Sequence, residues 1–148
     1  MSVLPESLRT AAHGDGVEKL VVGAVVHHGG AVLVVARSEL DEFLPGIDEL
    51  PSGGVEVGES LTAALDRELL EEVGFESEAI DGDFLERFDY RSASGRLTRQ
   101  LTVSVPLADR VVKLSEEHVA ARWIITGDVV GTSCTPETKS VIEEWFLR

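Results

Sequence analysis

Three glutamates, Glu68, Glu71 and Glu72, fall within five residues of one another in a stretch that otherwise has the pattern of a helix. At about 100° per residue, the apolar residues of this stretch form a single stripe. Glu72 falls inside the stripe, Glu68 lies at its edge, and Glu71 flanks the same side. The stripe consists of Leu61, Leu65, Leu69 and Val73. Two of the acids are therefore predicted on the side of the helix that packs against the protein.

An acidic helix most often presents its carboxylates to water, where they pair with basic residues one turn away. That interpretation leaves the two acids on the packing side unexplained, since burying an unpaired carboxylate is costly. Arg67 can neutralise one of the acids, most simply Glu71 at i+4. A hard divalent cation with oxygen ligands would neutralise the remaining charge. The pattern therefore favours a metal site over a solvated face.

The loop before the helix contains groups that suit either a metal site or an ordinary turn. Gly53 and Gly54 allow close backbone approach, so a carbonyl could provide one more oxygen ligand, or the pair could form a tight turn. Glu59 stands next to the predicted helix N-terminus, where the helix dipole stabilises a carboxylate. A catalytic role is the alternative for Glu59. The residues alone do not decide between these interpretations.

The elements that must position these residues are predicted from apolar periodicity and turn residues. Strands at 19–28 and 31–38 flank Gly29-Gly30 and predict a hairpin, and Ser60 and Gly74 bound the acidic helix. The other predicted elements are a short strand at 48–51, a glycine-rich loop at 53–58, strands at 83–92, 96–107 and 119–125, and a helix capped by Thr135-Pro136. Together they predict a mixed sheet flanked by helices, an α+β or α/β sandwich.

Composition restricts the class of protein. The 148 residues are 43% hydrophobic and 27% charged, as in ordinary globular domains, and no apolar run has the length of a membrane span. The formal net charge of −14 argues against a nucleic-acid duplex or an anionic membrane as a partner. A single cysteine, Cys134, and the lack of a signal-peptide pattern predict a cytoplasmic location.

The length predicts one domain. We assign this domain to residues 17–148 and treat residues 1–16 as an N-terminal extension, for which flexibility is one option. The oligomeric state is left open, with a homodimer as one option.

Taken together, the residues from 53 to 75 resemble the Nudix box. Gly53, Glu59 and the run RELLEEVGF at 67–75 match every defining position, and the box covers 23 of the 148 residues. The order of the predicted strands and helices also resembles the α/β/α sandwich of that family. Many relatives have glycine where this chain has Ser52, so substrate contacts at that position are expected to differ.

The resemblance implies hydrolysis, dependent on Mg²⁺ or Mn²⁺, of a nucleoside diphosphate linked to another group. It implies that Glu71 and Glu72 are the principal metal ligands. Glu68 would be a further ligand or the base that orients water. The carbonyl of Gly53 would also join the coordination shell of the metal.

The resemblance also implies supporting roles. Arg67 would hold the glutamates in place, and Glu59 would brace the loop and the helix. Family members often add an acid from a late loop, for which Glu117 is the candidate, with Glu116 close behind; a solvated loop acid is the alternative.

Residues outside the box must bind the part of the substrate beyond the diphosphate. The candidates are Arg37, Phe43, Tyr90 and Arg99, although a solvated arginine is the alternative at both Arg37 and Arg99. The leading substrates are nucleoside and deoxynucleoside triphosphates. The alternatives are ADP-ribose or a nucleotide sugar, a dinucleoside polyphosphate, and a nucleotide-sensing domain without turnover.

Overall fold

The computed structural model of the chain describes residues 4–40, 44–75, 80–109, 112–114, 116 and 118–148. The helices are α1 (Ser7–Gly14), α2 (Leu61–Val73) and α3 (Pro136–Phe146), with a 3-10 turn at Thr126–Gly131. The strands are β1 (Lys19–His28), β2 (Ala31–Arg37), β3 (Asp48–Glu49), β4 (Ser52–Gly54), β5 (Asp81–Arg91), β6 (Leu97–Pro106) and β7 (His118–Ile124). No helix within these described ranges is long and apolar enough to cross a lipid bilayer.

The strands form one mixed sheet. Its main order is β3-β2-β1-β6-β5, with β4 also paired to β1 and β7 also paired to β2. The central pair, β1 with β6, is parallel, whereas the other pairs are antiparallel. The predicted mixed sheet is confirmed.

Helices cover both faces of this sheet. Side chains alternate between the faces of a strand, so neighbours on β1 belong to different cores. Val22, Ala24 and Val26 pack with the apolar stripe of α2. Val25 packs with Val141 and other residues of α3. The predicted sandwich of helix, sheet and helix is confirmed. All four residues of the apolar stripe of α2 are buried in the core between α2 and the sheet.

The ends of α2 are those predicted. The Ser60 side chain accepts a hydrogen bond from the backbone N–H of Ala63 at 3.1 Å, which caps the helix. Gly74 ends the helix with φ of 80°, a left-handed conformation in which a Cβ would lie 2.8 Å from the Cβ of Lys113. The caps fix where the helix begins and ends, and burial of its apolar stripe fixes which face turns toward the sheet, so the placement of the glutamates follows.

Two elements differ from the sequence analysis. Ser52–Gly54, of which the last two residues were predicted as loop, forms β4 and pairs with Val21, Val22 and Gly23 of β1. The close approach depends on Gly23, where a Cβ would lie 3.0 Å from that of Ser52. The other difference is α1, which lies within residues 1–16 and had not been predicted as a helix.

Candidate active site

One cleft of about 1080 Å³ collects most of the predicted site residues. It lies between the β4–α2 region and the hairpin of β5 and β6, with the start of α3 at its edge. The predicted residues that line it are Arg37, Gly53, Arg67, Glu68, Glu71, Glu72 and Tyr90. Glu59 and Arg99 are not among the lining residues, and Phe43 and Glu117 lie outside the described residues.

Helix α2 presents its three glutamates to the cleft at different depths. Glu72 is buried, with 5% of its surface exposed, among the leucines of the apolar stripe. The Glu68 side chain is 12% exposed, whereas that of Glu71 is 59% exposed. The positions predicted from the helical wheel for Glu68 and Glu72 are thus confirmed; their roles as ligands stay predictions.

Glu72 connects the helix to the sheet. Its Oε2 accepts a hydrogen bond from the backbone N–H of Ser52 at 3.1 Å. Hydrogen bonds to a charged acceptor are stronger than neutral ones, so this contact fixes β4 against α2. The buried carboxylate therefore has a structural partner in addition to any ion it binds.

Arg67 joins the loop, the helix and the other glutamates. Its Nε and Nη2 donate to the two carboxylate oxygens of Glu59 at 2.7 and 2.9 Å, a bidentate pair. Its Nη2 also donates to the carbonyl of Gly54 at 2.9 Å. Its Nη1 donates to Glu68 at 2.7 Å and to Glu71 at 3.3 Å. Glu71, at i+4, is predicted as the simplest partner of Arg67, but its hydrogen bond is the longest of these. Glu59 is the main partner.

Gly53 is required where it stands because the Glu68 carboxylate lies directly against it. A Cβ at position 53 would come 1.9 Å from the Glu68 carboxyl carbon, which is impossible without moving the acid. The glycine therefore makes room for a carboxylate at the cleft wall. A simple tight turn does not account for this contact.

The donor set fits a hard divalent cation, since it consists of carboxylate oxygens and a backbone carbonyl beside one cleft. Among the described ranges, no three Asp, Glu, His or Cys side chains meet closely enough to form a finished metal cage. At α2 the glutamates do not close into such a cage because the guanidinium of Arg67 already neutralises Glu68 and contacts Glu71. We expect an incoming ion to exchange with part of this contact.

The wall opposite α2 carries a charged pair and two aromatic rings. Arg37 Nη1 lies 3.8 Å from Glu49 Oε2, and the other oxygen of Glu49 lies 2.7 Å from His118 Nε2. The rings of Phe88 and Tyr90 have centroids 5.8 Å apart. Burial raises the pKa of the Tyr90 phenol, so Tyr90 remains a neutral contact at pH 7. This wall thus combines a paired arginine with two neighbouring ring surfaces.

Arg99 is not among the residues that line the cleft, and its role as a substrate contact stays a prediction. It donates to Asp89 at 2.7 Å and to Asp15 at 3.0 Å, and only 6% of its side chain is exposed. These acids raise the pKa of Arg99, which stays protonated. Because successive residues of a strand face opposite sides, its neighbour Gln100 lines the cleft instead.

Sequence reasoning missed several cleft residues, among them Lys19, Glu49, Phe88 and Gln100. A signal for two of them was present in the strands: Phe88 stands two residues before Tyr90, on the same face of β5. Gln100 could have been placed by the same alternation once β6 had been assigned. Lys19 and Glu49 carry no local signal, because only the folded sheet brings them to the cleft.

The hydrogen bonds from Arg67 lower the pKa of Glu59 from its ordinary 4.5 to about 2. A carboxyl with a depressed pKa stabilises the folded state above the ordinary pKa and loses that contribution as the pH falls through the folded value. We therefore expect Glu59→Gln to melt below the parent at pH 7 and the difference to shrink between about pH 4.5 and pH 2. Thermal melts at stepped pH test this, with Glu143→Gln, at an exposed acid of α3, as the charge-matched control. A difference that stays constant over the whole window would contradict it.

Comparison with known proteins agrees with this geometry. A sequence model described as the NUDIX domain matches residues 17–145. The nucleoside triphosphatase NudI of Escherichia coli O17:K52:H18 (strain UMN026 / ExPEC) is 28% identical over 133 residues, which cover 84% of this chain and 94% of that protein. The solution structure of the E. coli ORF135 protein has a TM-score of 0.73 at 26% identity, covering 90% of this chain and 92% of that one. A C. elegans Ap4A hydrolase has the same fold, with a TM-score of 0.74 at 24% identity and coverage of 86% and 94%.

Proposed function

This chain belongs to the Nudix family of hydrolases, and on that premise we propose that it is a divalent-metal-dependent pyrophosphohydrolase of nucleoside and deoxynucleoside triphosphates. The observation that carries the proposal is the buried Glu72, which shares one cleft with Glu68 on one side and with Arg37 and Tyr90 on the other. Burying a carboxylate to 5% exposure costs folding free energy, because the charge is removed from water. A bound cation that also binds an anionic substrate would give that carboxylate a function.

The proposed ion is Mg²⁺, with Mn²⁺ as the substitute. Glu68, Glu71, Glu72 and the carbonyl of Gly53 would hold it. When bound, it would neutralise substrate charge and lower the pKa of a coordinated water. A protein with a net charge of −14 has a particular need for such neutralisation, because the substrate is itself an anion.

The residues of the cleft would act mainly by positioning. Hydrolysis would divide the triphosphate into a monophosphate and pyrophosphate: the oxygen of water would form a bond to phosphorus as the bridging P–O bond breaks, and one of these two products would leave with the bridging oxygen. Glu68 or Glu117 would accept the proton of that water; both assignments are kept, and Glu117 lies outside the described residues. Arg67 would keep Glu68 oriented through their 2.7 Å contact. Holding reactants in the reactive geometry is a large part of catalysis.

The opposite wall would bind the part of the substrate beyond the reacting phosphates. Arg37 would contact a phosphate, and the rings of Phe88 and Tyr90 would pack against a base or sugar. Phe43, which lies outside the described residues, remains a proposed contact. The relative named as a nucleoside triphosphatase supports triphosphates as the leading substrates.

A small nucleotide is the proposed partner, since the negative charge disfavours a duplex or an anionic membrane. A single buried cysteine supports a cytoplasmic location. A homodimer is the proposed alternative to a monomer.

We expect broad rather than single-substrate specificity. Metal ions and glutamates bind the phosphates common to all nucleotides, and aromatic stacking is worth about 1–3 kcal/mol with any base. The values of kcat/KM for the common nucleoside triphosphates should therefore lie within about two orders of magnitude of one another.

A panel of Mg²⁺-supplemented reactions tests this proposal. It contains the common triphosphates, ADP-ribose, a nucleotide sugar and a dinucleoside polyphosphate, and each product is identified. Preference for one non-triphosphate by more than about a thousandfold would replace the leading substrate class. Binding of nucleotides without any turnover would favour the sensing alternative instead.

A further inference from the structure

The segment 4–16, which lies before the matched family domain, is attached to the start of the acidic helix. Leu4 N–H donates to Thr62 Oγ1 at 2.8 Å, and Leu61 N–H donates to Glu6 Oε1 at 3.2 Å. Arg9 Nη2 donates to the backbone carbonyl of Glu59 at 2.5 Å. These contacts all fall on residues 59–62, the corner at which the glycine-rich loop becomes α2.

Glu6 supplies a cap that the helix cannot make by itself. The first backbone N–H groups of a helix have no partner within the helix. Ser60 satisfies the N–H of Ala63, and Glu6 satisfies that of Leu61. A carboxylate at this end also interacts favourably with the helix dipole. The first turn of α2 is thus completed by a residue from outside the family domain.

Arg9 is connected to the cleft through Glu59, whose backbone and side chain each take part in hydrogen bonds. Arg9 fixes the carbonyl of Glu59, and the carboxylate of Glu59 makes the bidentate pair with Arg67. Arg67 in turn donates to Glu68 at 2.7 Å. Any shift of the Glu59 backbone would therefore move the group that orients Glu68.

The segment is anchored at both ends, so loss of one polar contact need not detach it. Leu4 is buried in the core that α2 shares with the sheet. At the other end, Asp15 lies 3.0 Å from the buried Arg99. The Arg9 side chain is 40% exposed, which allows its polar role to be tested separately.

We propose that Glu6 and Arg9 are positioning residues for the metal-binding helix: they hold the Glu59 corner so that Arg67 keeps Glu68 in place. This inference rests on the proposed function, because the property that it affects is the binding of a divalent ion. A truncated chain that begins at the family domain would lack this support.

The test measures Mn²⁺ binding by the electron paramagnetic resonance signal of the free ion. We expect Arg9→Ala and Glu6→Ala to bind Mn²⁺ about tenfold more weakly than the parent, the lower end of the range for groups that orient metal ligands. Glu6→Gln keeps an oxygen acceptor for Leu61 N–H and should bind nearly as the parent does. The matched control is Arg148→Ala, which removes an equally exposed arginine paired with one acid, Asp81, away from the cleft.

A second measurement separates positioning from general destabilisation. If Arg9 acts through Glu59, then Arg9→Ala should weaken Mn²⁺ binding much less in a Glu59→Gln background than in the parent, because coupled residues are not additive. Full additivity, or equal Mn²⁺ affinity in Arg9→Ala and Arg148→Ala, would overturn this inference alone. Failure of the parent to bind Mn²⁺ would overturn the proposed function and the inference together.

Discussion

Replacing Glu72 by glutamine is expected to lower kcat by about 10²- to 10³-fold, the usual cost of losing one well-placed electrostatic group. Glutamine has nearly the same shape and keeps an oxygen that can accept the hydrogen bond from Ser52 N–H. The change therefore removes a negative charge from a buried position while keeping this acceptor. Because the glutamine retains this acceptor, the variant should keep the fold of the parent.

Two measurements check this result. Steady-state kinetics under saturating Mg²⁺ give the loss in kcat, and thermal melts with and without Mg²⁺ show whether the metal-dependent rise in melting temperature has gone. Glu143→Gln, which changes an exposed acid on α3, is the control and should behave as the parent does. Hydrolysis by Glu72→Gln at the parent rate would contradict the assignment of Glu72 to the metal site.

Replacing Arg67 by alanine is expected to reduce stability and activity together. It leaves the carboxylates of Glu59 and Glu68 without their shared partner, and both are largely buried, at 15% and 12% exposure. Partial exposure reduces the cost below that of a fully buried pair, so we expect a loss of roughly 2–3 kcal/mol. That corresponds to a melting temperature lower by about 5–10 °C. Activity should fall by about 10- to 100-fold, because Glu68 is no longer oriented.

Glu71→Gln provides the comparison that separates a metal ligand, the role proposed for Glu71, from a structural support, the role proposed for Arg67. The Glu71 side chain is 59% exposed, and its contact with Arg67, at 3.3 Å, is longer than those of Glu59 and Glu68 with Arg67. Exposed pairs of this kind contribute little to stability. This variant should therefore lose activity with almost no change in melting temperature. Equal stability losses in the Arg67 and Glu71 variants would mean that the two residues form only a structural ion pair.

The sequence predicts those parts of the site that depend on local periodicity. Glu72 lies in the leucine stripe of α2, and Ser60 and Gly74 bound the helix, as helical spacing and capping preferences predict. These features involve residues close together in the chain. Local physical chemistry is sufficient to place them.

Features that depend on strand register and long-range contacts were not predictable in the same way. Arg99 was one candidate substrate contact, but a shift of one residue changes the face of a strand, and the cleft lining contains Gln100 and not Arg99. The pair of Glu49 and His118 joins residues 69 positions apart. Helix α1 is short, and helices of that length depend on tertiary contacts such as those of Leu4.

The central claim is that the glutamates of α2 hold a divalent ion with which the cleft hydrolyses nucleotides. The most direct measurement follows pyrophosphate release from a nucleoside triphosphate, in the parent and in Glu72→Gln, first in EDTA and then with increasing Mg²⁺. We predict no release in EDTA, release by the parent that saturates with Mg²⁺, and at least about a hundredfold less release by Glu72→Gln. Release by the parent in EDTA, or equal Mg²⁺-dependent release by both proteins, would contradict the claim.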